Sequence, residues 1–120
     1  MRLLQLLKSK IHHARVTYAN PDYIGSIEID GELMDRVGMI DGELVHVWDV
    51  TNGERFTTYA MRGEPGCVGL NGGAAYKVSV GDKLIIVSFT VTDEPVTPKI
   101  ILVDEQNHYV RDLTPFQRDG

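Results

Sequence analysis

The chain has 120 residues with 42% hydrophobic and 24% charged side chains, a length and composition that predict one globular domain spanning residues 1–120. Seventeen acidic against twelve basic side chains give a formal net charge of −5, which argues against a nucleic-acid partner because such proteins need a basic surface. The single cysteine, Cys67, excludes an intrachain disulfide and indicates a reducing compartment, and the short apolar run in MRLLQLLKSK excludes a membrane span, so we expect a cytoplasmic protein.

The first predicted strands lie before residue 30. KIHHARVTYA alternates as a strand does, which places five side chains on one face: Lys10, His12, Ala14, Val16 and Tyr18. NPDY predicts a turn, and SIEID predicts a half-buried strand because Ile27 and Ile29 alternate with acidic residues. That strand begins at Gly25-Ser26, a pair that by itself is typical of a turn or a bulge.

One helix and one hairpin are predicted in the middle of the chain. In DGELMDRVG, Asp30 can cap the helix and Gly38 can end it, and the apolar stripe consists of Leu33, Met34 and Val37. In LVHVWDVTNGERFTTYAM, Asn52-Gly53 predicts a two-residue type I′ turn between two strands. Such a turn places five side chains on one face of the hairpin: His46, Trp48, Arg55, Thr57 and Tyr59.

The second half of the chain predicts further strands. RGEPGCVGLNGGAA, with five glycines, predicts a long loop, and a turn at Gly81-Asp82 is followed by an apolar run typical of a buried strand. PKIILVDEQNHYVRDL predicts a strand and a hairpin, and we expect the tail at 114–120 to be disordered. Short strands with one small helix and no βαβ rhythm favour a β-barrel.

Several kinds of functional site are excluded by residue spacing. The histidines are scattered along the chain: His12, His13, His46 and His108. They lack the paired spacing of a zinc site, and adjacent strand residues face opposite ways, so we expect no metal. GCVGLNGG lacks the lysine and hydroxyl of a Walker loop, and no G-x-S-x-G motif is present. The polar face of the hairpin is typical of either a solvated surface or a binding site. The run at 71–73 is typical of either an anion-binding turn or a flexible loop.

Four segments in this order carry a family resemblance: KIHHARVTYANPDYIGSIEID, VWDVTNGERFTTYA, GEPG and LNGGAA. Over roughly residues 1–105 the chain resembles the L-aspartate α-decarboxylases, pyruvoyl-dependent enzymes of pantothenate synthesis. The pattern K-[IL]-H…Y-x-G-S followed by T-N-G-x-R-[FL]-x-T-Y is specific to that family, whereas Gly-Ser alone is not. The resemblance therefore gives the Gly25-Ser26 pair a second interpretation.

By this resemblance the chain would cut itself between Gly25 and Ser26 into residues 1–25 and 26–120. The Ser26 hydroxyl would attack the Gly25 carbonyl, and elimination and hydrolysis would leave a pyruvoyl group, with no metal and no PLP. Gly25 leaves its carbonyl open and tolerates an unusual φ. Strain stores about 1–3 kcal/mol, at most roughly a hundredfold in rate, so a positioned donor is needed. The family assigns that role to the threonine matching Thr58.

In turnover, the resemblance implies a Schiff base between the pyruvoyl ketone at Ser26 and L-aspartate, loss of CO2 and release of β-alanine. Tyr59 matches the family's proton donor. Arg55 and Lys10 are cationic candidates for the substrate carboxylates, with no assignment between them. The remaining matches are the substrate-binding positions Thr58, Gly72, Gly73 and Ala74 and the neighbouring positions His12, Tyr23, Trp48 and Asn71.

The implied fold is mainly β, a six-stranded double-psi β-barrel with one or two short helices. The implied assembly is a homotetramer with active sites between subunits, and the resemblance leaves open whether a maturation partner takes part. The chain departs from the family pattern in NGGAA, where Asn-Gly-Ala-Ala-Ala is usual, and in a GEPG loop about two residues short with Pro65 where arginine is usual. Alternation also puts Thr58 and Tyr59 on opposite faces unless a bulge, a strong twist or the strand's end intervenes.

Two other functions stay open from the residues alone. The first is a non-catalytic β-barrel that binds a small ligand, with Gly25-Ser26 as an ordinary bulge. The second is a transcription-related barrel of similar topology, which the acidic charge disfavours unless its partner is a protein.

Overall fold

The computed structural model describes residues 1–117, which contain nine β-strands, one α-helix and one 3-10 helix. The elements are β1 (Leu4–Arg15), β2 (Tyr18–Asn20), β3 (Ser26–Asp30), α1 (Gly31–Val37), β4 (Leu44–Asp49), β5 (Arg55–Gly63), β6 (Val68–Asn71), the 3-10 helix (Gly72–Lys77), β7 (Lys83–Thr92), β8 (Lys99–Val103) and β9 (Tyr109–Asp112). The predicted mainly β fold with one or two short helices is confirmed, and six of the strands have five residues or more. Within 1–117, no helix is long and apolar enough to cross a membrane.

The strands join one sheet in the order β2-β6-β3-β5-β4-β7-β1-β8-β9. Most neighbours are antiparallel, but β1 with β8, β2 with β6 and β3 with β5 are parallel. Parallel partners need crossover connections, because a tight hairpin can join only antiparallel strands. For function the central fact is that β3 lies between β6 on one side and β5 on the other.

A single hydrophobic cluster lies inside the curved sheet. It draws on seven of the strands and on α1, and its fully buried members include Ile11, Ile27, Val47, Leu70 and Ile86. Burying a side chain of this size stabilises the fold by about 1.5–3 kcal/mol. The cluster holds β3, β5 and β6 in register at the end of the barrel where Gly25 and Ser26 lie.

The predicted helix is confirmed together with its caps. Asp30 Oδ1 accepts a hydrogen bond from the Glu32 backbone N–H at 2.9 Å, and Gly38 ends the helix with φ +76°. The apolar stripe is buried as expected: Leu33, Met34 and Val37. Asp30 also fixes the loop between β5 and β6, because its Oδ2 accepts from the Gly66 N–H at 2.8 Å.

The predicted two-residue turn at Asn52-Gly53 is wrong. Asp49 N–H donates to the Glu54 carbonyl, which closes a longer loop of residues 50–53 in which only Gly53 has a positive φ. Asp49 Oδ1 stabilises this loop by accepting from the Thr51 and Asn52 N–H groups at 2.8 and 3.2 Å. The pairing therefore shifts by two residues, and an even shift keeps the predicted set of side chains on one face.

The alternation predicted for the first strand breaks at His13. His13 has φ +71°, and the β1–β7 register shifts between His12 and Ala14, which marks a bulge. Lys10 and His12 stay half-buried, whereas Ala14 and Val16 turn into the core. The bulge also stacks the His12 and His13 rings at 3.7 Å, so the expectation that they face opposite ways is wrong. No group of three or more His, Cys, Asp or Glu residues in the described part of the chain could hold a metal ion.

Part of the predicted glycine-rich loop is a buried strand. All four residues of β6 are buried, and Gly69 has no side chain because the Tyr18 ring occupies the space, where a Cβ would lie 1.8 Å from Tyr18 Cε2. The apolar run of β7 is buried only to Ser88, and Phe89 is exposed. In the predicted disordered tail, residues 114–117 form no strand or helix, and residues 118–120 lie outside the described residues.

Two buried carboxyl groups meet beneath the hairpin loop. Asp49 and Asp82 are 2% and 8% exposed, and Asp49 Oδ2 has no hydrogen-bond partner. Burial, followed by the neighbouring Asp82 carboxyl group, raises the pKa of Asp49 to about 6. The folded state therefore keeps a proton that the unfolded chain loses from about pH 4 upward, so the stability from this proton is present at low pH and is lost as pH rises toward 6.

We expect Asp82→Asn to raise the free energy of unfolding at about pH 7.5 by about 1–2 kcal/mol and to change it little at about pH 4. The asparagine removes a negative charge from beside Asp49 and supplies a donor for its unpaired Oδ2. Denaturant unfolding at the two pH values measures the difference. The exposed Asp93→Asn is the matched control, and an equal gain from both variants would contradict the assignment to the buried pair.

Candidate active site

Ser26 lies at the base of an open pocket of about 440 Å³ at one end of β3. The pocket is lined by Tyr23, Ile24, Ser26, Glu28, Tyr59, Met61 and Asn71. Four of these residues were predicted as site residues from the sequence: Tyr23, Ser26, Tyr59 and Asn71. The structure therefore brings the candidate nucleophile and the candidate proton donor to one cavity.

The Ser26 hydroxyl has one polar partner in the described structure, the side chain of Asn71. Ser26 is fully buried, and its Oγ accepts a hydrogen bond from Asn71 Nδ2 at 3.0 Å. The two residues are direct partners in the antiparallel β3–β6 pairing, so the sheet itself sets this contact. Asn71 is 2% exposed, and its Oδ1 has no hydrogen-bond partner among residues 1–117.

The backbone before Ser26 is crossed closely by the start of the 3-10 helix. Gly72 has φ +66°, and a Cβ there would lie 2.7 Å from Gly25 Cα. Only glycine allows both the left-handed φ and this approach. Gly25 itself is not among the glycines with positive φ, so the unusual φ that its chemistry suggested is absent. The requirement for glycine thus lies at Gly72 rather than in the dihedral angles of Gly25.

Tyr59 and Thr58 point to opposite faces of β5. The parallel β3–β5 pairing begins at Ile27 opposite Ala60, which brings Tyr59 beside Ser26. The β4–β5 register runs without a shift from Leu44 to Trp48, so no bulge turns Thr58 toward the pocket. Thr58 is half-buried on the core side of β5, outside the residues that line the pocket.

The cationic candidates lie elsewhere on the same chain. His12 and Trp48 both pair with Ile85, on β1 and β4 respectively, and Trp48 also pairs with Arg55 on β5. These side chains therefore lie in one row on the outer face of the sheet. Lys10 lies in the next row, opposite Val87. The Arg55 guanidinium stacks over the Trp48 ring at 4.7 Å. The candidates on β4 and β5 line a second pocket of about 310 Å³, separate from the pocket of Ser26.

His12 is a neutral group in this row. Its pKa is lowered to about 4, chiefly by burial and in smaller part by the nearby charges of His13, Lys10 and Lys83. Its Nδ1 is buried without a partner. At neutral pH its imidazole can therefore donate and accept hydrogen bonds but adds no positive charge beside Lys10.

The remaining predicted residues, Gly72, Gly73 and Ala74, begin the 3-10 helix directly after Asn71. Gly72 is buried against Gly25, whereas Gly73 is exposed and Ala74 is half-buried. Sequence reasoning missed Glu28 and Met61 as pocket residues. The available signal was alternation, because Glu28 points outward between Ile27 and Ile29, two residues after Ser26.

Comparison with protein families matches residues 2–110 to the family described as Aspartate decarboxylase. The chain belongs to the aspartate decarboxylase family. The Aspartate 1-decarboxylase of Wolinella succinogenes is 49% identical to it over 88% of this chain and 93% of the relative. The Aspartate 1-decarboxylase of Caldicellulosiruptor saccharolyticus is also 49% identical, over 91% of this chain and 90% of the relative. The resemblance seen in the sequence motifs is thus confirmed.

Other comparisons extend the range of relatives. An Aspartate 1-decarboxylase of Phocaeicola vulgatus is 55% identical over 93 residues, which cover 76% of this chain and 80% of the relative. The crystal structure of the rationally designed protein mkDPBB_sym_86 matches 68% of this chain and 90% of its own chain, with 24% identity and a TM-score of 0.47. For a member of the aspartate decarboxylase family, the pocket at Ser26 is the candidate active site.

The two glycines after Asn71 provide a matched pair of substitutions. We expect Gly72→Ala to destabilise the fold by about 1–3 kcal/mol, because its φ is positive and the new Cβ would meet Gly25. Gly73→Ala should change the free energy of unfolding by less than about 1 kcal/mol. A Cβ added at Gly73 would meet no atom within 4 Å, and the φ of Gly73 is not positive. Thermal unfolding of both variants measures the contrast, and equal melting temperatures would contradict it.

Proposed function

We propose that this chain cleaves its own Gly25–Ser26 bond and that the pieces 1–25 and 26–120 together decarboxylate L-aspartate to β-alanine and CO2, for pantothenate synthesis. The observation that carries the proposal is the buried Ser26 hydroxyl, held by Asn71 Nδ2 at 3.0 Å in a pocket that Tyr59 also lines. Membership of the aspartate decarboxylase family supports the same reaction.

Cleavage begins at the Ser26 hydroxyl. Its Oγ forms a bond to the Gly25 carbonyl carbon, the C–N bond breaks, and the Oγ proton ends on the freed nitrogen, which gives an ester and an amine. A base then takes the Cα proton of residue 26 while the Cβ–O bond breaks, so that residues 1–25 leave as a carboxylate and a Cα=Cβ double bond remains. Hydrolysis of the resulting enamine releases ammonia and leaves a ketone at the former Cα. Burial of Ser26 keeps bulk water from the ester during these steps.

Hydrogen-bond donors contribute more to this cleavage than backbone strain does. One donor aimed at a developing oxyanion is worth about 10²–10³ in rate. Asn71 Nδ2 stabilises negative charge on Ser26 Oγ. We assign the Gly25 oxyanion to Thr58, as the family pattern implies, with the hydroxyl approaching from the core side of β5 because the pocket side belongs to Tyr59.

The residues around Ser26 fit a pyruvoyl group, because Asn71 offers a buried donor and an unpaired buried Oδ1 beside the open cavity. When formed, this group supplies a ketone conjugated with a carbonyl, which accepts the substrate amine and delocalises the electron pair left by CO2. The Tyr59 phenol then returns a proton to the former Cα of the substrate. Tyr59 is 37% exposed, so its hydroxyl can reach a bound substrate.

Recognition of a dicarboxylate calls for cations, and the residues of 1–117 that line the Ser26 pocket include no Lys or Arg. Arg55 and Lys10 lie in neighbouring rows on the outer face of the sheet, and Arg55 is oriented by its stacking on Trp48. A guanidinium in this orientation can bind a carboxylate through two parallel hydrogen bonds. We therefore place the complete site between subunits of a homotetramer, with these residues of one subunit facing Ser26 of another. The lone Cys67 supports a reducing location such as the cytoplasm.

Intact-mass measurement tests the cleavage. We expect two species, residues 1–25 and a 26–120 fragment lighter by one ammonia than a serine-terminated peptide. Ser26→Ala should give one folded, uncut chain with no decarboxylation, and the exposed Ser79→Ala should behave as the unsubstituted chain does. An active Ser26→Ala protein would contradict the proposal. An unsubstituted chain that stays whole and binds small carboxylates without turnover would support the non-catalytic barrel.

Tyr59→Phe separates turnover from cleavage. We expect normal cleavage and a kcat lower by about 10²–10⁴, because the phenol proton is needed only to complete the product. KM should change little if the hydroxyl acts on the reacting carbon rather than in binding. Steady-state β-alanine formation by the fully cleaved variant measures this. The exposed Tyr76→Phe is the matched control, and a cleavage defect in Tyr59→Phe would mean that its role is misassigned.

A further inference from the structure

Two buried polar atoms close to Ser26 have no hydrogen-bond partner in the described structure: the Tyr18 phenol oxygen and Asn71 Oδ1. Leaving a polar atom unpaired and buried destabilises a fold, so such atoms are uncommon and call for an explanation. Asn71 is also the residue that donates to Ser26 Oγ. The unpaired Oδ1 means that no hydrogen bond to Oδ1 fixes which end of the carboxamide faces Ser26.

The strand register places Tyr18 within reach of this carboxamide. Two rows of residues cross β2, β6 and β3 on the same side of the sheet: Tyr18, Gly69 and Glu28 in one row, and Asn20, Asn71 and Ser26 in the other. The Tyr18 ring lies over Gly69, which has no side chain to displace it. The phenol thereby crosses the middle strand and ends near both Glu28 and Asn71.

The Tyr18 phenol stays protonated near neutral pH. The pKa of Tyr18 is raised to about 12, chiefly by burial; Asn71 opposes the rise and Glu28 contributes to it. A neutral phenol has one hydrogen to donate and lone pairs to accept with. Glu28 is the acceptor beside it, and a hydrogen bond to a carboxylate is stronger than one between neutral groups.

A phenol that donates to Glu28 can only accept from Asn71, and an acceptor selects the Nδ2 end of the carboxamide. Asn71 Nδ2 has two hydrogens, so one can bond to Tyr18 while the other stays on Ser26 Oγ. With the phenol absent, the carboxamide can also rotate by half a turn and present Oδ1 to Ser26 Oγ. That orientation would oppose negative charge on Oγ rather than stabilise it.

We propose that Tyr18 and Glu28 are positioning residues for the self-cleavage: together they hold the Asn71 carboxamide with its Nδ2 on Ser26 Oγ. This inference rests on the proposed function, since it concerns the rate of cleavage at Gly25–Ser26. Neither residue touches the scissile bond in this account. Each acts through Asn71, so its contribution disappears when the Asn71 side chain is removed.

The test follows the appearance of the 26–120 fragment by mass spectrometry, starting from freshly produced uncut chain. We expect Tyr18→Phe to slow cleavage by roughly tenfold, the effect of one lost hydrogen bond of about 1–1.5 kcal/mol. Glu28→Gln keeps the phenol and its packing but replaces the acceptor by an amide, and it should slow cleavage in the same direction by a smaller factor. In an Asn71→Ala background, Tyr18→Phe should cause no further slowing.

The control is Tyr109→Phe, which removes a phenol from β9 at the opposite edge of the sheet. The Tyr109 hydroxyl donates a hydrogen bond to Asp112 Oδ1 at 2.9 Å. The Tyr109→Phe chain should cleave as fast as the unsubstituted chain. If that chain cleaves but Tyr18→Phe and Glu28→Gln cleave equally fast, the inference is overturned while the proposed function stands. Equal slowing by Tyr18→Phe with and without the Asn71 side chain would also overturn it. An unsubstituted chain that never cleaves overturns both.

Discussion

The position of β3 between two unlike neighbours is the constraint on which the candidate site depends. β6 pairs with it antiparallel and sets Ser26 opposite Asn71, while β5 runs parallel on the other side and brings Tyr59 to the same end. Adjacent strands lie about 4.8 Å apart, so side chains from three strands meet here without help from a flexible loop. A slip of β3 by one residue would exchange Ser26 for Ile27 at the pocket, and the fully buried Ile27 and Ile29 oppose such a slip.

The absence of side chains at two points in and after β6 is as important as the groups that are present. Gly69 leaves room for the Tyr18 ring, and Gly72 allows the chain to pass against Gly25. Both are close approaches of backbone or ring that any Cβ would prevent. The glycine-rich composition of this segment, which resembles that of a mobile loop, therefore reflects tight packing against Tyr18 and Gly25.

The local charge near the proposed substrate site differs from the charge of the whole chain. The formal net charge is −5, yet Lys10 and Arg55 share one outer region of the sheet with a neutral His12. The net charge of a protein affects which macromolecules it attracts. A small dianion is affected mainly by the few charged groups within a Debye length of it, about 8–10 Å. An acidic protein can thus present a local cationic region to a small dianion, and here the guanidinium of that region stacks on Trp48.

The sequence alone determined the features that depend on neighbours along the chain. Asp30 and Gly38 defined the helix because caps act within one turn, and alternation placed Arg55, Thr57 and Tyr59 on one face of β5. The ordered motifs around Gly25-Ser26 identified the family, since they are long enough to be specific. Tertiary structure decided the rest: the longer hairpin loop held by Asp49, the bulge at His13 and the burial of β6. The meeting of Tyr18, Glu28 and Asn71 belongs with these, because cross-strand register joins residues up to 53 positions apart and no local pattern encodes it.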